Sequence, residues 1–331
     1  TLTALLAFAG GTYRLDGIAR MRERPIGDLL AALRSLGADI VCEENQGFLP
    51  LRFAPAARCG DAVSVRGNVS SQYLTALLML APLIAPAEGL TIRIEGELIS
   101  RPYVDMTVRM MRDFGAMVQE LGGAFVVLPG TYRAKNAYRV EADASGASYF
   151  LALGALTGGP VTVTGVGEGS MQGDVAFADA LALMGAQVEK TAEAITVSRD
   201  PSVRLKGIDL DCTRIPDAAM TFVPMALMTD SPVRLTGIAS WRVKETDRLA
   251  AMACEMRKFG ASVEEGPDYI VVSKPEDVGL RVATVDTYDD HRMAMSLTLA
   301  ACAGVPVTVN DPGCTAKTYP SFFEEFARLT R

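Results

Sequence analysis

The chain has 331 residues, 49% of them hydrophobic and 21% charged, which is enough apolar sequence for two domains with substantial cores. A formal net charge of −7 argues against a nucleic-acid-binding surface or a polybasic membrane patch. Six scattered cysteines without a CxxC motif, and a single histidine, argue against a zinc site and favour free thiols in a reducing compartment.

Neither a membrane span nor a secretory leader is recognised. The longest apolar stretch, residues 73–85, is too short to cross a bilayer and contains Pro82. We therefore expect a cytoplasmic protein that binds neither membrane nor nucleic acid.

A repeat runs through the chain. Four helical patterns each end on a bulky apolar residue followed by Gly-Ala, and the glycines are 78, 70 and 75 residues apart at Gly37, Gly115, Gly185 and Gly260. Glycine suits the left-handed backbone that often ends a helix. Because β-prone residues follow each glycine, the pattern predicts helix ends that lead into strands.

A second series has the same period. Five alternating strands run into loops at residues 13–17, 92–96, 161–165, 233–237 and 307–311. An apolar, alanine-rich helix precedes each strand and a second helix follows it. The repeating unit of about 70–80 residues predicts an α/β architecture of packed layers.

The first helix of the later units is predicted to begin at Ser70, Ser145, Asp217 and Asp290. The equivalent position in the first unit would precede residue 1. We therefore expect residue 1 to lie within a helix and the chain to lack the N-terminal part of its first unit.

Polar residues gather at two phases of the repeat, the start of the apolar helix and the loop after the strand. Both phases predict helix N-termini, whose free N–H groups and positive dipole end favour anions. We interpret Asp143, Ser145 and Asp174 as helix N-caps. One cap needs one hydroxyl, so capping explains Ser70, Ser71 and Gln72 less well.

Five cations at these phases are harder to explain by structure alone: Arg20, Lys244, Arg248, Arg292 and Lys317. Cations converging within about 6 Å would repel by roughly 1–3 kcal/mol per pair, so we expect anionic ligands to neutralise them. Asp217 and Glu245 lie at the same phases and could move protons. His291 is open to either a structural or a catalytic role. These residues predict an enzyme that acts on small phosphorylated or carboxylated substrates without a metal.

The octet WRVKETDR at 241–248 has two interpretations. If it begins a solvated helix, Lys244 and Arg248 share a face four residues apart, and Glu245 forms a weak surface ion pair with Arg248. Its phase in the repeat favours the alternative, one wall of an anion site.

The chain resembles the 5-enolpyruvylshikimate-3-phosphate synthase family over essentially its whole length. The similar runs are GNVSSQYLTA at 67–76, SRPY at 100–103, IPDAAMT at 215–221, WRVKETDR at 241–248, DHRMAM at 290–295 and CTAK at 314–317. Any one run would be weak evidence, but six in the family's order are specific.

The resemblance implies an α/β (α+β) fold of repeated βαβαββ units in two domains of the enolpyruvyl transferase type, an inside-out α/β barrel, with the first unit missing. The domains would be residues 1–140 and 141–331, with the active site in the cleft between them. It also implies transfer of the enolpyruvyl group of phosphoenolpyruvate to the 5-hydroxyl of 3-phosphoshikimate through a tetrahedral intermediate, by a monomer without metal or cofactor.

The resemblance also assigns roles to residues. Asp217 would take the proton of the attacking hydroxyl and Glu245 would protonate the methylene carbon, with His291 nearby. The residues expected to bind 3-phosphoshikimate are Ser70, Ser71, Gln72, Ser100, Tyr103, Asp217, Ser240 and Lys244. Those expected to bind phosphoenolpyruvate are Arg20, Gln72, Arg248, Arg292 and Lys317.

Two departures from the family bear on activity. Ser240 stands where the family usually has asparagine, and the missing first unit normally supplies further substrate contacts. Each lost charged contact would cost roughly 1.5–3 kcal/mol, so we expect this chain alone to be impaired. The alternatives are an inactive or weakly active fragment that retains the scaffold, and a UDP-N-acetylglucosamine enolpyruvyl transferase.

Overall fold

The computed structural model describes residues 1–68, 70–275 and 279–330, so Val69 of the 67–76 run lies outside the described residues. The chain divides into two compact units, Thr1–Arg139 and Val140–Arg331. Each unit has a hydrophobic core of its own. None of the helices among the described residues is long and apolar enough to cross a membrane.

The first unit contains two small sheets. Its helices are α1 (Leu2–Ala7), α2 (Ala19–Glu23), α3 (Gly27–Ser35), α4 (Ser71–Ile84) and α5 (Arg101–Asp113). Its strands are β1 (Tyr13–Leu15), β2 (Asp39–Cys42), β3 (Leu51–Ala54), β4 (Ala62–Arg66), β5 (Leu90–Glu95), β6 (Val118–Leu121) and β7 (Ala124–Val127). One sheet has the order β1-β3-β2, and the other has the order β4-β5-β7-β6 with β4 and β5 parallel.

The second unit contains three sheets. Its helices are α6 (Ala144–Thr157), α7 (Ala176–Leu183), α8 (Phe222–Met225), α9 (Arg248–Lys258), α10 (His291–Thr298) and α11 (Phe322–Leu329). Its strands are β8 (Val161–Thr164), β9 (Gln187–Lys190), β10 (Ala194–Ser198), β11 (Asp209–Asp211), β12 (Val233–Thr236), β13 (Ser262–Glu265), β14 (Ile270–Ser273), β15 (Ala283–Val285) and β16 (Val307–Val309). The sheets have the orders β8-β10-β9, β11-β12-β14-β13 and β15-β16.

The predicted repeat is present in both units. The segments β4-α4-β5-α5-β6-β7 and β11-α8-β12-α9-β13-β14 share one topology, a parallel pair extended by an antiparallel hairpin. The four glycines at which helices are predicted to end, Gly37, Gly115, Gly185 and Gly260, have φ values of 96°, 88°, 105° and 86°. These are left-handed conformations, which a residue with a Cβ atom adopts at a cost. The local pattern therefore predicted where these helices end.

Helix α6 is buried on nearly every face. The contacts at its N-terminus differ from two of the predicted caps. Asp143 is the N-cap, because its Oδ1 accepts the N–H of Ser145 at 2.9 Å. The hydroxyl of Ser145 instead donates to Oδ2 of Asp174 at 2.5 Å, and both side chains are buried. The capping interpretation is therefore right for Asp143 and wrong for Ser145 and Asp174, which join α6 to the 3₁₀ helix Gly173–Val175.

Candidate active site

The octet at 241–248 forms a 3₁₀ helix, an extended link and the start of α9. The 3₁₀ helix covers Ala239–Val243, and α9 begins at Arg248 with Asp247 as its N-cap. Lys244 has extended backbone. The expectation that Lys244 and Arg248 share a helix face is therefore wrong, because α9 starts only after the acidic residues of the octet.

Trp241 fixes the octet to the residue before Asp217. Its indole is fully buried, and its Nε1–H donates to the carbonyl of Pro216 at 2.6 Å. This bond links two chain segments 25 residues apart. It therefore helps to hold Asp217 close to the cations of the octet.

We expect Trp241→Phe to lower the free energy of unfolding by about 2–3 kcal/mol, because it leaves a cavity and a buried carbonyl without its donor. Urea unfolding followed by far-ultraviolet circular dichroism measures this. Val243→Ala changes a half-exposed side chain in the same 3₁₀ helix and should change stability by less than about 0.5 kcal/mol. Equal effects of the two substitutions would contradict a specific role for the indole.

Arg248 is the centre of the site and is 1% exposed. Its Nε donates to Oδ2 of Asp290 at 2.7 Å. One terminal nitrogen donates to Oδ1 of Asp217 at 3.0 Å, and the other donates to Oε2 of Glu245 at 2.9 Å. The predicted pair between Glu245 and Arg248 is present, but the solvated-surface interpretation of the octet is wrong because the guanidinium is buried among three carboxylates.

Asp217 brings three cations together. Besides Arg248, it lies 3.5 Å from Nζ of Lys244 and 3.4 Å from NH2 of Arg292. Burial by itself would raise the pKa of Asp217. The positive charges of Arg292, Lys244 and Arg248 outweigh burial and hold the pKa of this carboxyl well below its usual value. Asp217 is therefore ionised at neutral pH.

Glu245 is shared between Arg248 and Lys317. Nζ of Lys317 donates to its Oε1 at 2.6 Å. Burial opposes ionisation, but the charge of Arg248 and the hydrogen bond from Lys317 prevail and lower the pKa of Glu245 to about 2. Without a ligand, Glu245 is therefore a carboxylate and carries no proton to donate.

Asp290 is a member of the site whose role the sequence analysis missed. It is fully buried, caps α10 by accepting the N–H of Arg292 at 2.9 Å, and holds Arg248. Its position at the start of an apolar helix, the phase that Asp217 also occupies, was the available signal. The hydroxyl of Tyr149, buried in α6, also lies near Arg292, and nothing in its sequence context indicated this.

His291 is buried beside these charges. Its Nδ1 lies 3.7 Å from Oδ1 of Asp290 and has no hydrogen-bond partner among the residues that the structure describes. Burial, followed by the charge of Arg292, lowers the pKa of His291 to about 4. The imidazole is therefore neutral at pH 7.

This pKa predicts a loss of stability in mild acid. Between about pH 6.5 and pH 4 the unfolded chain binds a proton at His291 that the folded chain does not, so the free energy of unfolding falls as the pH falls. The loss should be on the order of 3 kcal/mol and level off below about pH 4 for this group. Urea unfolding at several pH values measures this loss. In His291→Gln the free energy of unfolding should depend less on pH between about pH 6.5 and pH 4. An unchanged slope in His291→Gln would contradict a buried, neutral imidazole.

The charges of this site, here called the Arg248 cluster, nearly balance. Its members are Lys244, Arg248, Arg292, Lys317, Asp217, Glu245 and Asp290. Four cations face three carboxylates, which leaves one excess positive charge. The chain's own carboxylates therefore offset most of the repulsion between the cations, and the neutralisation of the cations by anionic ligands stays a prediction.

The remaining predicted site residue of the second unit is Ser240. It lies half-buried in the 3₁₀ helix Ala239–Val243, next to Trp241. It directly precedes the octet, and its contact with 3-phosphoshikimate stays a prediction.

The other predicted residues belong to the first unit. Ser70 is the N-cap of α4 and accepts the N–H of Gln72 at 3.3 Å, while Ser71 begins the helix. Ser100 precedes α5 with a φ of 54°, and Tyr103 lies in the first turn of that helix. Arg20 lies in α2, where it donates to Glu23 at 2.9 Å. The predicted residues of this unit thus lie at or near the starts of helices.

Comparisons with known proteins agree with one another. A protein-family model described as EPSP synthase (3-phosphoshikimate 1-carboxyvinyltransferase) matches residues 1–326. A 3-phosphoshikimate 1-carboxyvinyltransferase of Burkholderia vietnamiensis is 53% identical over 337 residues, with 100% of this chain and 77% of the relative covered. One of Thiobacillus denitrificans is 54% identical over 334 residues, with the same coverage.

A solved structure of EPSP synthase from Acinetobacter baumannii has a similar fold. The TM-score is 0.75 at 24% sequence identity, and the match covers 99% of this chain and 76% of the other. This likeness confirms the predicted α/β fold class.

Proposed function

This chain belongs to the EPSP synthase family, and we propose that it transfers the enolpyruvyl group of phosphoenolpyruvate to the 5-hydroxyl of 3-phosphoshikimate and releases phosphate. The reaction is a step of the shikimate pathway to chorismate and the aromatic amino acids. The structural observation that carries the proposal is the Arg248 cluster, since all its members come from the runs that resemble the family. The high identity to named relatives does not favour a UDP-sugar as the acceptor.

Phosphoenolpyruvate carries a carboxylate and a phosphate, which suit a site rich in guanidinium groups. We assign its binding to Arg248, Arg292 and Lys317 of the cluster, together with Arg20 and Gln72 of the first unit. We assign 3-phosphoshikimate to Lys244 and Ser240, together with a polar set from the first unit that comprises Ser70, Ser71, Gln72, Ser100 and Tyr103. Lys244 contacts Asp217, so an acceptor held by Lys244 would present its hydroxyl to that carboxylate.

Two of the three carboxylates of the cluster, Asp217 and Glu245, supply the proton transfers. Asp217 takes the proton of the 5-hydroxyl as its oxygen attacks the C2 atom of phosphoenolpyruvate, and Glu245 protonates the C3 methylene. The resulting tetrahedral intermediate loses phosphate and a C3 proton, which restores the enol ether. Both groups lie within 3.0 Å of Arg248, so a single side chain positions the base and the acid.

Substrate binding must change the protonation of Glu245 for this mechanism to operate. A carboxyl with a pKa of about 2 is a poor proton donor at neutral pH. The two cations that lower this pKa, Arg248 and Lys317, are also assigned to the donor substrate. When phosphoenolpyruvate binds Arg248 and Lys317, their interaction with Glu245 weakens. The pKa of Glu245 then rises, and its carboxylate takes up a proton.

Phosphate release with both substrates tests the proposed function. We expect turnover that requires phosphoenolpyruvate and 3-phosphoshikimate together and that UDP-N-acetylglucosamine does not support. Turnover of the UDP-sugar but not of 3-phosphoshikimate would overturn the proposal. Binding of both substrates without turnover would favour a scaffold that lacks the activity.

We also propose that the protein acts as a monomer in the cytoplasm. Light scattering at micromolar concentration tests the oligomeric state, and a stable dimer would contradict this part of the proposal.

A further inference from the structure

The segment that leads into α10 has unusual backbone. Tyr288 and Asp289 are consecutive non-glycine residues with φ values of 55° and 54°. Left-handed conformations of this kind cost free energy and persist only where the surrounding structure holds them. The segment 286–290 ends at Asp290, and His291 and Arg292 follow it directly. Whatever holds this segment therefore also places three residues of the active site.

Glu255 holds this segment. It lies in α9, is 0% exposed, and has no part in the proton transfers described above. Its Oε1 accepts the hydroxyl of Tyr288 at 2.7 Å, and its Oε2 accepts the N–H of Asp286 at 3.0 Å. Nζ of Lys258 lies 2.7 Å from Glu255 and balances its charge. One buried carboxylate therefore binds both the beginning of the segment and the first of its left-handed residues.

Side chains of helix α9 form hydrogen bonds with both ends of the segment 286–290. Glu255 and Arg248 are seven residues apart, which is about two helical turns, so both point from the same side of α9. Arg248 binds Asp290 at the end of the segment, while Glu255 binds Asp286 and Tyr288 nearer its beginning. The spacing of the two contacts along α9 fixes where α10 starts.

We propose that Glu255 is a positioning residue for the active site. Through Tyr288 and Asp286 it holds the segment 286–290 in its left-handed conformation, so that Asp290 meets Arg248 and α10 presents His291 and Arg292 to the cluster. The kinetic part of this proposal rests on the proposed function, whereas the placement of α10 does not.

Tyr288→Phe tests the proposal with little damage to the fold, because the side chain is 40% exposed and only its hydroxyl is removed. We expect kcat/KM for phosphoenolpyruvate to fall about tenfold, with KM for phosphoenolpyruvate rising more than KM for 3-phosphoshikimate. Tyr269→Phe is a matched control, since that hydroxyl donates to Glu264 at the same 2.7 Å distance in the same unit. The control should change neither constant by more than about twofold.

The single histidine gives a second readout that does not depend on turnover. A loosened segment admits water to His291, so its pKa, followed by nuclear magnetic resonance, should rise by about half a unit or more in Tyr288→Phe and Glu255→Gln. It should stay unchanged in Tyr269→Phe. A purely stabilising role would alter the unfolding midpoint and leave this pKa where it is.

The titration of His291 decides the proposal. If the folded Tyr288→Phe variant keeps the wild-type pKa of His291, Glu255 does not position α10 and the proposal is overturned. If Glu255→Gln does not fold, Tyr288→Phe still gives the answer. If the wild-type protein shows no turnover, the proposed function fails while the titration continues to test the placement of α10.

Discussion

Replacing Glu245 by glutamine should lower kcat by about 10²–10⁴-fold while the dissociation constants of both substrates change by no more than a few-fold. The amide has nearly the same shape as the carboxyl but cannot deliver a proton to the methylene carbon. It also removes a negative charge that competes with phosphoenolpyruvate for Arg248 and Lys317, so binding should not weaken. Steady-state kinetics and titration calorimetry measure the two effects separately.

Glu264→Gln provides the control for this substitution, because Glu264 is an exposed residue of β13 that pairs with Tyr269 outside the Arg248 cluster. It should leave kcat unchanged. A normal kcat in Glu245→Gln would remove Glu245 from the proton-transfer role. A large loss of affinity with normal kcat would make it a binding residue instead.

Replacing Arg248 by alanine should both destabilise the second unit and abolish turnover. The substitution leaves Asp290 buried without its guanidinium partner and loosens Asp217 and Glu245. Breaking a buried ion pair by removing one partner typically costs about 3–5 kcal/mol. Urea unfolding followed by the fluorescence of Trp241, the only tryptophan, reports on this unit directly.

The matched control is Arg234→Ala, which removes an exposed arginine paired with Asp209 at 2.9 Å. Exposed pairs contribute about 0–1 kcal/mol, so this variant should unfold nearly as the wild type does. If Arg248→Ala were as stable as Arg234→Ala, the Arg248 cluster would not be the buried network described above.

The sequence predicted the repeat because its signals are local. A glycine after a helical pattern and a strand of alternating residues each occupy a few neighbouring positions, as at Gly185 and at residues 161–165. The same period placed Asp217 and Arg292 at the start of the apolar helix and Glu245 in the loop after the strand, and the structure brings these three to one cluster. Phase in a repeat therefore carried information about which distant residues meet.

Apart from the pair between Glu245 and Arg248, the sequence did not predict how the charges pair. Arg248 contacts Asp217, Glu245 and Asp290, which are 31, 3 and 42 residues away, and only the contact with Glu245 is a local one. The predicted helical placement of Lys244 failed because Asp247, three residues later, is the N-cap that starts α9. Local spacing alone does not reveal where a cap will start a helix.

The pairing of charges in the Arg248 cluster affects how phosphoenolpyruvate can bind. A site of unpaired cations would bind anions directly, whereas three carboxylates of the chain already offset most of the cations in the Arg248 cluster. We propose that two of them, Asp217 and Glu245, also move protons. Donor binding must therefore exchange one set of anions for another. This exchange couples the binding of phosphoenolpyruvate to the protonation of Glu245, and the coupling is the central claim of the mechanism.

Proton uptake on donor binding tests this claim most directly. In the Asp217→Asn variant, where the proposed base is absent, phosphoenolpyruvate can be titrated into the complex with 3-phosphoshikimate in buffers of different ionisation enthalpy. Comparison with Asp217→Asn/Glu245→Gln removes the contribution of the substrate's own phosphate. We predict that the variant retaining Glu245 takes up more protons, with a difference that approaches one as the pH falls from about 7 to about 5. Equal proton uptake by the two variants across this range would contradict the mechanism.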